Sequence, residues 1–181
     1  NSAVTSYGHA IAVTPIAFTA AFATLANSGE YNAPTLIQTK DKRASPRRVM
    51  SAPTAALMTH MMREAVITGT GKQAEVAGYR VAGKTGTAEK PIPGGYSETD
   101  NMCSFAALFP ADGPEYVVLI VLDNPKAGAN RGRTAARNAA PTAGRVIERI
   151  APILSVEPRF DALPQSGPKV RSVSDRRRSD L

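Results

Sequence analysis

The chain has 181 residues, 43% of them hydrophobic, 20% charged and 6% aromatic with no Trp, and a formal net charge of +7. That is one globular domain or part of one, with a core that must be built from Ala, Val, Ile, Leu and Met. A single Cys excludes an internal disulfide, one Cys with two His gives no zinc-type spacing, and no apolar run is long enough to span a bilayer.

In chain order, Thr14-Pro15 followed by an Ala-rich run to Asn27-Ser28-Gly29 predicts a helix, with Thr as cap, Pro in the first turn and Gly closing it. Ile16, Phe18, Phe22 and Leu25 make most of its surface apolar, so a buried helix is expected. Thr35 to Thr39 reads as a short strand. Ser51 to Thr68 predicts a second helix, in which Leu57, Met58, Met61, Met62 and Val66 recur at helical spacing and are expected in the core. Thr68 to Gly71 is a turn, and Tyr79 to Thr87 a strand. Pro91 to Tyr96 reads as a loop, with Glu89 and Lys90 leading into it and the stretch to Asn101 a candidate cover for a groove. Cys103 to Phe109 and Tyr116 to Asp123 predict a hairpin turned by Pro110-Ala-Asp-Gly-Pro114, and the unbroken apolar run Val117 to Leu122 predicts burial on both faces. Asn124 to Gly132 is a loop. Asn138 to about Ile150 predicts a last helix with Val146, Ile147 and Ile150 inward. Helices, then three antiparallel strands, then a helix make the fold class α+β.

From Pro152 the pattern gives way to Pro, Ser, Gly and charge, which divides the chain into a body, 1–154, and a flexible basic tail, 155–181. The tail holds six basic and four acidic residues, so most of the positive charge lies in the body. Part of it clusters in Lys40, Lys42, Arg43, Arg47 and Arg48. Without interleaved aromatics this reads as a solvated surface, and nucleic acid is not favoured as a partner.

The chemistry-bearing feature is Val81-Ala-Gly-Lys-Thr-Gly-Thr-Ala88. A strand holding Lys84-Thr85-Gly86-Thr87 suits one wall of an acyl-transfer site. The ammonium supplies positive potential, the hydroxyls can donate to a carboxylate, and Gly lets substrate backbone approach. A backbone N–H after the Gly can serve a developing oxyanion. Lys-Thr-Gly is one of three signatures of penicillin-binding proteins and class A β-lactamases, beside Ser-x-x-Lys and Ser-Asp-Asn. The others are missing: the one Ser-x-x-Lys, Ser166-Gly-Pro-Lys169, has helix breakers between its ends, and Ser-x-Asn does not occur. His9 and His60 read as structural histidines, and Cys103 as a small core residue rather than a nucleophile.

Tyr7-Gly8-His9-Ala10-Ile11-Ala12-Val13-Thr14-Pro15, the helix ending Leu25-Ala-Asn-Ser-Gly29, Gly69-Thr70-Gly71-Lys72, the Lys-Thr-Gly-Thr strand, Ser104-Phe105, Phe109-Pro110-Ala111 and Asp123-Asn124-Pro125 follow one another as in a known family. The chain resembles the C-terminal part of the transpeptidase domain of class B penicillin-binding proteins, the septal division type of Gram-negative bacteria. Ala10 stands where that family has Gly, and Cys103 precedes its usual Ser-Phe. The resemblance implies a peptidoglycan D,D-transpeptidase, in which a Ser attacks the D-Ala-D-Ala end of a stem peptide and the acyl group passes to a neighbouring amine; β-lactams acylate the same Ser. Lys84 and Thr87 would be catalytic, Lys84 through its charge and Thr87 through its backbone N–H. Thr85, Gly86 and Thr87 would bind the substrate or drug.

The resemblance further implies no cofactor, divisome membrane proteins as partners, and the periplasmic face of the inner membrane as location, with an anchor outside this chain. The missing nucleophile and the start at Asn1 lead us to expect a fragment, inactive alone. A serine β-lactamase or D,D-carboxypeptidase relative, a non-enzymatic binding module, and a fragment that does not fold alone stay open at this stage.

Overall fold

The computed structural model describes residues 11–37, 45–126 and 132–161. The first helix, α1 (Pro15–Ala26), starts where expected, with the Thr14 hydroxyl accepting the Ala17 N–H at 3.3 Å and Pro15 in the first turn, where its missing N–H leaves no bond unmade. It ends because Ser28 and Gly29 take φ values of 52° and 86°. A Cβ on Gly29 would lie 2.3 Å from the Met50 carbonyl oxygen, so the turn needs glycine for both its conformation and its space. Gly29→Ala is expected to cost about 1–3 kcal/mol, read as a lower denaturation midpoint.

The helix is less buried than its apolar composition predicts. Phe22, Leu25 and Ala26 pack on the cluster of Met62, Ala82 and Leu108, and Phe18 lies against Phe22, but Ile16 is 52% exposed. Only one side of α1 meets a partner among the described residues.

Two short strands, β1 (Glu30–Tyr31) and β2 (Arg47–Arg48), pair antiparallel. The strand expected at Thr35 to Thr39 is not formed over its described part. Thr35 instead closes a local turn, its hydroxyl accepting the Ile37 N–H at 3.1 Å, and Leu36 is 97% exposed. Residues 38–44 lie outside the described part.

Helix α2 (Ala52–Ile67) is capped by the Ser51 hydroxyl, which accepts from Thr54 N at 3.2 Å. Its buried stripe is Ala55, Thr59, Met62 and Val66. That corrects the expected core set: Leu57 is half-buried, and Met58 and Met61 are exposed. The stripe is narrow because α2 lies along one strand, with small residues allowing close approach.

That strand is β3 (Ala82–Ile92), which pairs with β4 (Gly95–Phe109), and β4 pairs with β5 (Tyr116–Asp123), giving a three-stranded antiparallel sheet in that order. Cys103, Phe105, Ala107 and Phe109 alternate toward the last helix, α3 (Ala139–Ile153), whose Ala139, Ala140, Ala143, Ile147 and Ala151 complete the main core. Leu108 and Ala82 face the α1 side. Val117 to Leu122 in β5 is only partly buried, with Val121 41% exposed. The strand lies at a sheet edge, and α1 and α3 cover its faces incompletely.

Pro91 to Tyr96 is not a loop, and Glu89 and Lys90 are not in one. β3 runs on through a bulge between Glu89 and Pro91, pairs Pro91 with Tyr96 and Ile92 with Gly95, and turns at Pro93-Gly94, where Gly94 has φ 88°. Proline is admissible because edge strand β3 needs ladder bonds on one side only. The Lys90 ammonium pairs with Asp123.

The chain does not leave the body at Ser155. Val156 is buried, the Arg159 N–H donates to the Gly78 carbonyl at 2.8 Å, and Pro158 and Phe160 crowd Gly78. The buried Arg80 guanidinium bonds Asp112 on the β4–β5 turn and also donates to the Asp161 carbonyl at 2.6 Å and to its Oδ1 at 3.0 Å. Arg159 meets Asp112 from the other side at 2.8 Å. Residues 162–181 lie outside the described part.

A backbone hydrogen bond at Asp161 itself holds its carboxyl below the ordinary value; burial pulls the other way, and the charge and hydrogen bond of Arg80 and the charge of Arg159 add to the lowering. A lowered folded pKa means stabilisation present above the unfolded carboxylate pKa of about 3.9 and lost as pH falls through the folded value. Acidifying through that range should loosen residues 157–161, read as faster amide exchange at Arg159.

Candidate active site

Lys84, Thr85, Gly86 and Thr87 sit in the middle of β3, opposite Ala106, Phe105, Ser104 and Cys103 of β4. Strand alternation puts Lys84 and Gly86 on the face toward α1, and Thr85 and Thr87 on the face toward α3. The four residues therefore share an edge rather than a face. Their edge is open among the described residues, because β3 pairs with β4 alone.

Each side chain is tied into place there. The exposed Lys84 ammonium curls to the Thr85 carbonyl at 2.9 Å, which sets its charge beside the strand. The Thr85 hydroxyl meets the Thr70 hydroxyl at 2.8 Å, from the turn after α2. The Thr87 hydroxyl accepts the Ala135 N–H at 3.0 Å, from the 3₁₀ turn Ala135–Arg137 that precedes α3. An oxygen that receives this N–H still has its own hydrogen to give, so Thr87 is set up as a donor. Gly86 faces Ser104, whose Oγ would lie 2.6 Å from a Cβ there. Such an edge, with one ammonium and hydroxyl donors, suits a carboxylate.

Cys103 is fully buried beneath Thr87. Burial pushes its thiol pKa up, eased by a hydrogen bond with Thr87 and by the charge of Arg133. It is held as S–H, a donor, rather than as a thiolate nucleophile. His60 is half-buried on α2, and His9 lies outside the described residues. A shallow pocket between the end of α1 and the β4–β5 turn is lined by Ala26, Asn27, Glu30 and Glu115 and by none of Lys84 to Thr87.

The sequence singled out the strand but not what orients it. Thr70 was visible only as part of a Gly-Thr-Gly turn, and Asn101 and Arg133, which meet beside Thr87, left no local signal.

Residues 1–148 match the family described as penicillin binding protein transpeptidase domain. The chain is 44% identical over 167 residues to a probable peptidoglycan D,D-transpeptidase FtsI of Caulobacter vibrioides, covering 86% of this chain and 28% of that protein. It is 38% identical to stage V sporulation protein D of Bacillus subtilis, covering 87% of this chain and 26% of that one. Among solved structures, penicillin-binding protein 3 of Mycobacterium tuberculosis in complex with ampicillin superposes with a TM-score of 0.75 at 32% identity, over 87% of this chain and 38% of the other. The transpeptidase domain of penicillin-binding protein 3 from Burkholderia pseudomallei gives 0.77 at 30% identity, over 88% and 47%.

With this sheet, this edge and these matches, the chain belongs to the penicillin-binding protein transpeptidase family, in a class B, FtsI-like form. It spans about a quarter of the length of the curated relatives it matches. No helix among the described residues is long and apolar enough to cross a membrane.

Proposed function

We propose that this chain is the C-terminal part of a peptidoglycan D,D-transpeptidase that cross-links stem peptides through a serine acyl-enzyme during septal wall synthesis. The observation that supports it most is the open β3 edge, where the Lys84 ammonium and the fixed Thr85 and Thr87 hydroxyls meet. Thr85 and Thr87 bind the C-terminal carboxylate of the stem peptide, or that of a β-lactam. Lys84 supplies positive potential at the reacting centre, and Gly86 keeps the edge low for substrate backbone. The Thr87 N–H stabilises the oxyanion together with the nucleophile's own N–H.

The serine and its Ser-x-x-Lys lysine come from sequence upstream of this chain, which is inactive without them. The same upstream part covers the exposed apolar side of α1. An anchor outside this chain holds the protein at the periplasmic face of the inner membrane, among divisome proteins.

The test is release of D-Ala from a peptide ending in D-Ala-D-Ala, with an added amine as acceptor, using the protein extended upstream to include a helical Ser-x-x-Lys and a Ser-x-Asn. Release accompanied by a new amide product is expected. Hydrolysis with no amide product would point instead to a carboxypeptidase, and no release would overturn the reading.

A further inference from the structure

Beside Thr87, two side chains converge on the Arg133 carbonyl. The Asn101 side-chain amide donates to it at 2.9 Å, and the Cys103 thiol lies 3.0 Å from it. Cys103 Sγ is also 3.7 Å from Asn101 Oδ1, so the two side chains, neighbours on β4 two residues apart, brace one another. Asn101 is a buried polar residue and Cys103 is fully buried, so both donors are shielded from water. Two residues beyond that carbonyl, the Ala135 N–H reaches Thr87 Oγ1. The segment from Arg133 to Ala135 is thereby fastened to the sheet at both ends of three residues, one end on β4 and the other on β3.

From this geometry we infer that Asn101 and Cys103 are positioning residues for the Thr87 hydroxyl: by gripping the Arg133 carbonyl they keep the Ala135 N–H on Thr87 Oγ1, so that the Thr87 hydrogen, which rests against the Cys103 sulfur, can turn to donate to a bound carboxylate. The inference rests on the carboxylate-binding reading of Thr87 and adds the residues that set its direction. Cys103 serves because it is held as a protonated thiol; a serine at 103 can make the same bond, whereas alanine cannot. Without the grip the Arg133–Ala135 segment drifts, the hydroxyl is free to rotate, and an anion loses a prepaid donor.

The experiment compares acylation of the upstream-extended protein by a penicillin with acylation by the methyl ester of the same penicillin, which lacks the carboxylate. Cys103→Ala and Asn101→Ala are each expected to reduce the acid-to-ester rate ratio by about three- to tenfold, the value of one or two hydrogen bonds. The ester rate itself should hardly change, Cys103→Ser should restore the ratio, and amide exchange at Ala135 should be faster in both alanine variants. A purely structural role would slow acid and ester alike, and that result overturns the inference. So does an unchanged ratio with unchanged Ala135 protection. If the unaltered protein is acylated equally by acid and ester, or not at all, the carboxylate-binding reading fails as well, which separates the two failures.

Discussion

Lys84→Ala in the upstream-extended protein is expected to slow acylation by penicillin by about 10²- to 10³-fold, the scale of removing one preorganised electrostatic group from an acyl-transfer site. Lys84 is exposed and bonds a carbonyl, and among the described residues no carboxylate forms an ion pair with it. Its charge is therefore not neutralised in place, as the proposed role of Lys84 requires. Because the side chain contributes nothing to the core, the fold should tolerate the change, and the denaturation midpoint should move little. The time course of adduct formation, followed by intact mass at several penicillin concentrations, separates weaker binding from slower chemistry. Acylation within threefold of the unaltered rate would remove Lys84 from the mechanism.

The largest effect on stability is expected at Phe105. Its ring is fully buried in the sheet's core face and lies over Gly83 of the neighbouring strand, where a Cβ would come within 2.5 Å of the ring and 2.7 Å of the Ala106 carbonyl oxygen. Phe105→Ala should cost about 3–5 kcal/mol through lost burial and the cavity left behind. Gly83→Ala should cost about 1–3 kcal/mol or more, since the Ala106 carbonyl is backbone and cannot step aside. The pair should be non-additive, the double variant losing less than the two single losses together, because removing the ring also removes half of the clash. Urea denaturation measures all three, and strict additivity would show that the ring and Gly83 do not share the space.

The elements with explicit punctuation were legible in the sequence. Thr14-Pro15 and Ser51 start their helices as cap chemistry requires, and Pro110 to Pro114 turns β4 into β5. The Lys84 to Thr87 strand and its family were legible too, because several short motifs follow one another in a fixed order. What failed was inference from local composition about distant partners. Two prolines and two glycines made Pro91 to Tyr96 read as loop, yet a free strand edge lets β3 carry Pro91 within its pairing. The apolar surface of α1 and the methionines of α2 announced burial, but periodicity shows which side chains favour an apolar neighbour and not where one stands. The docking of 155–161 depended on Arg80 finding Asp161 across 81 positions of sequence. The orientation of Thr87 likewise came from Ala135, 48 residues away.

The most direct test is the intact mass of this 181-residue chain after incubation with a penicillin, beside the same chain extended upstream until a helical Ser-x-x-Lys and a Ser-x-Asn are present. One penicillin added to the extended protein and none to the shorter chain is the expected result, and it would place Lys84 to Thr87 as one wall of a site completed from upstream. A covalent adduct on the 181-residue chain, mapped to one of its own residues, would contradict that division of the site.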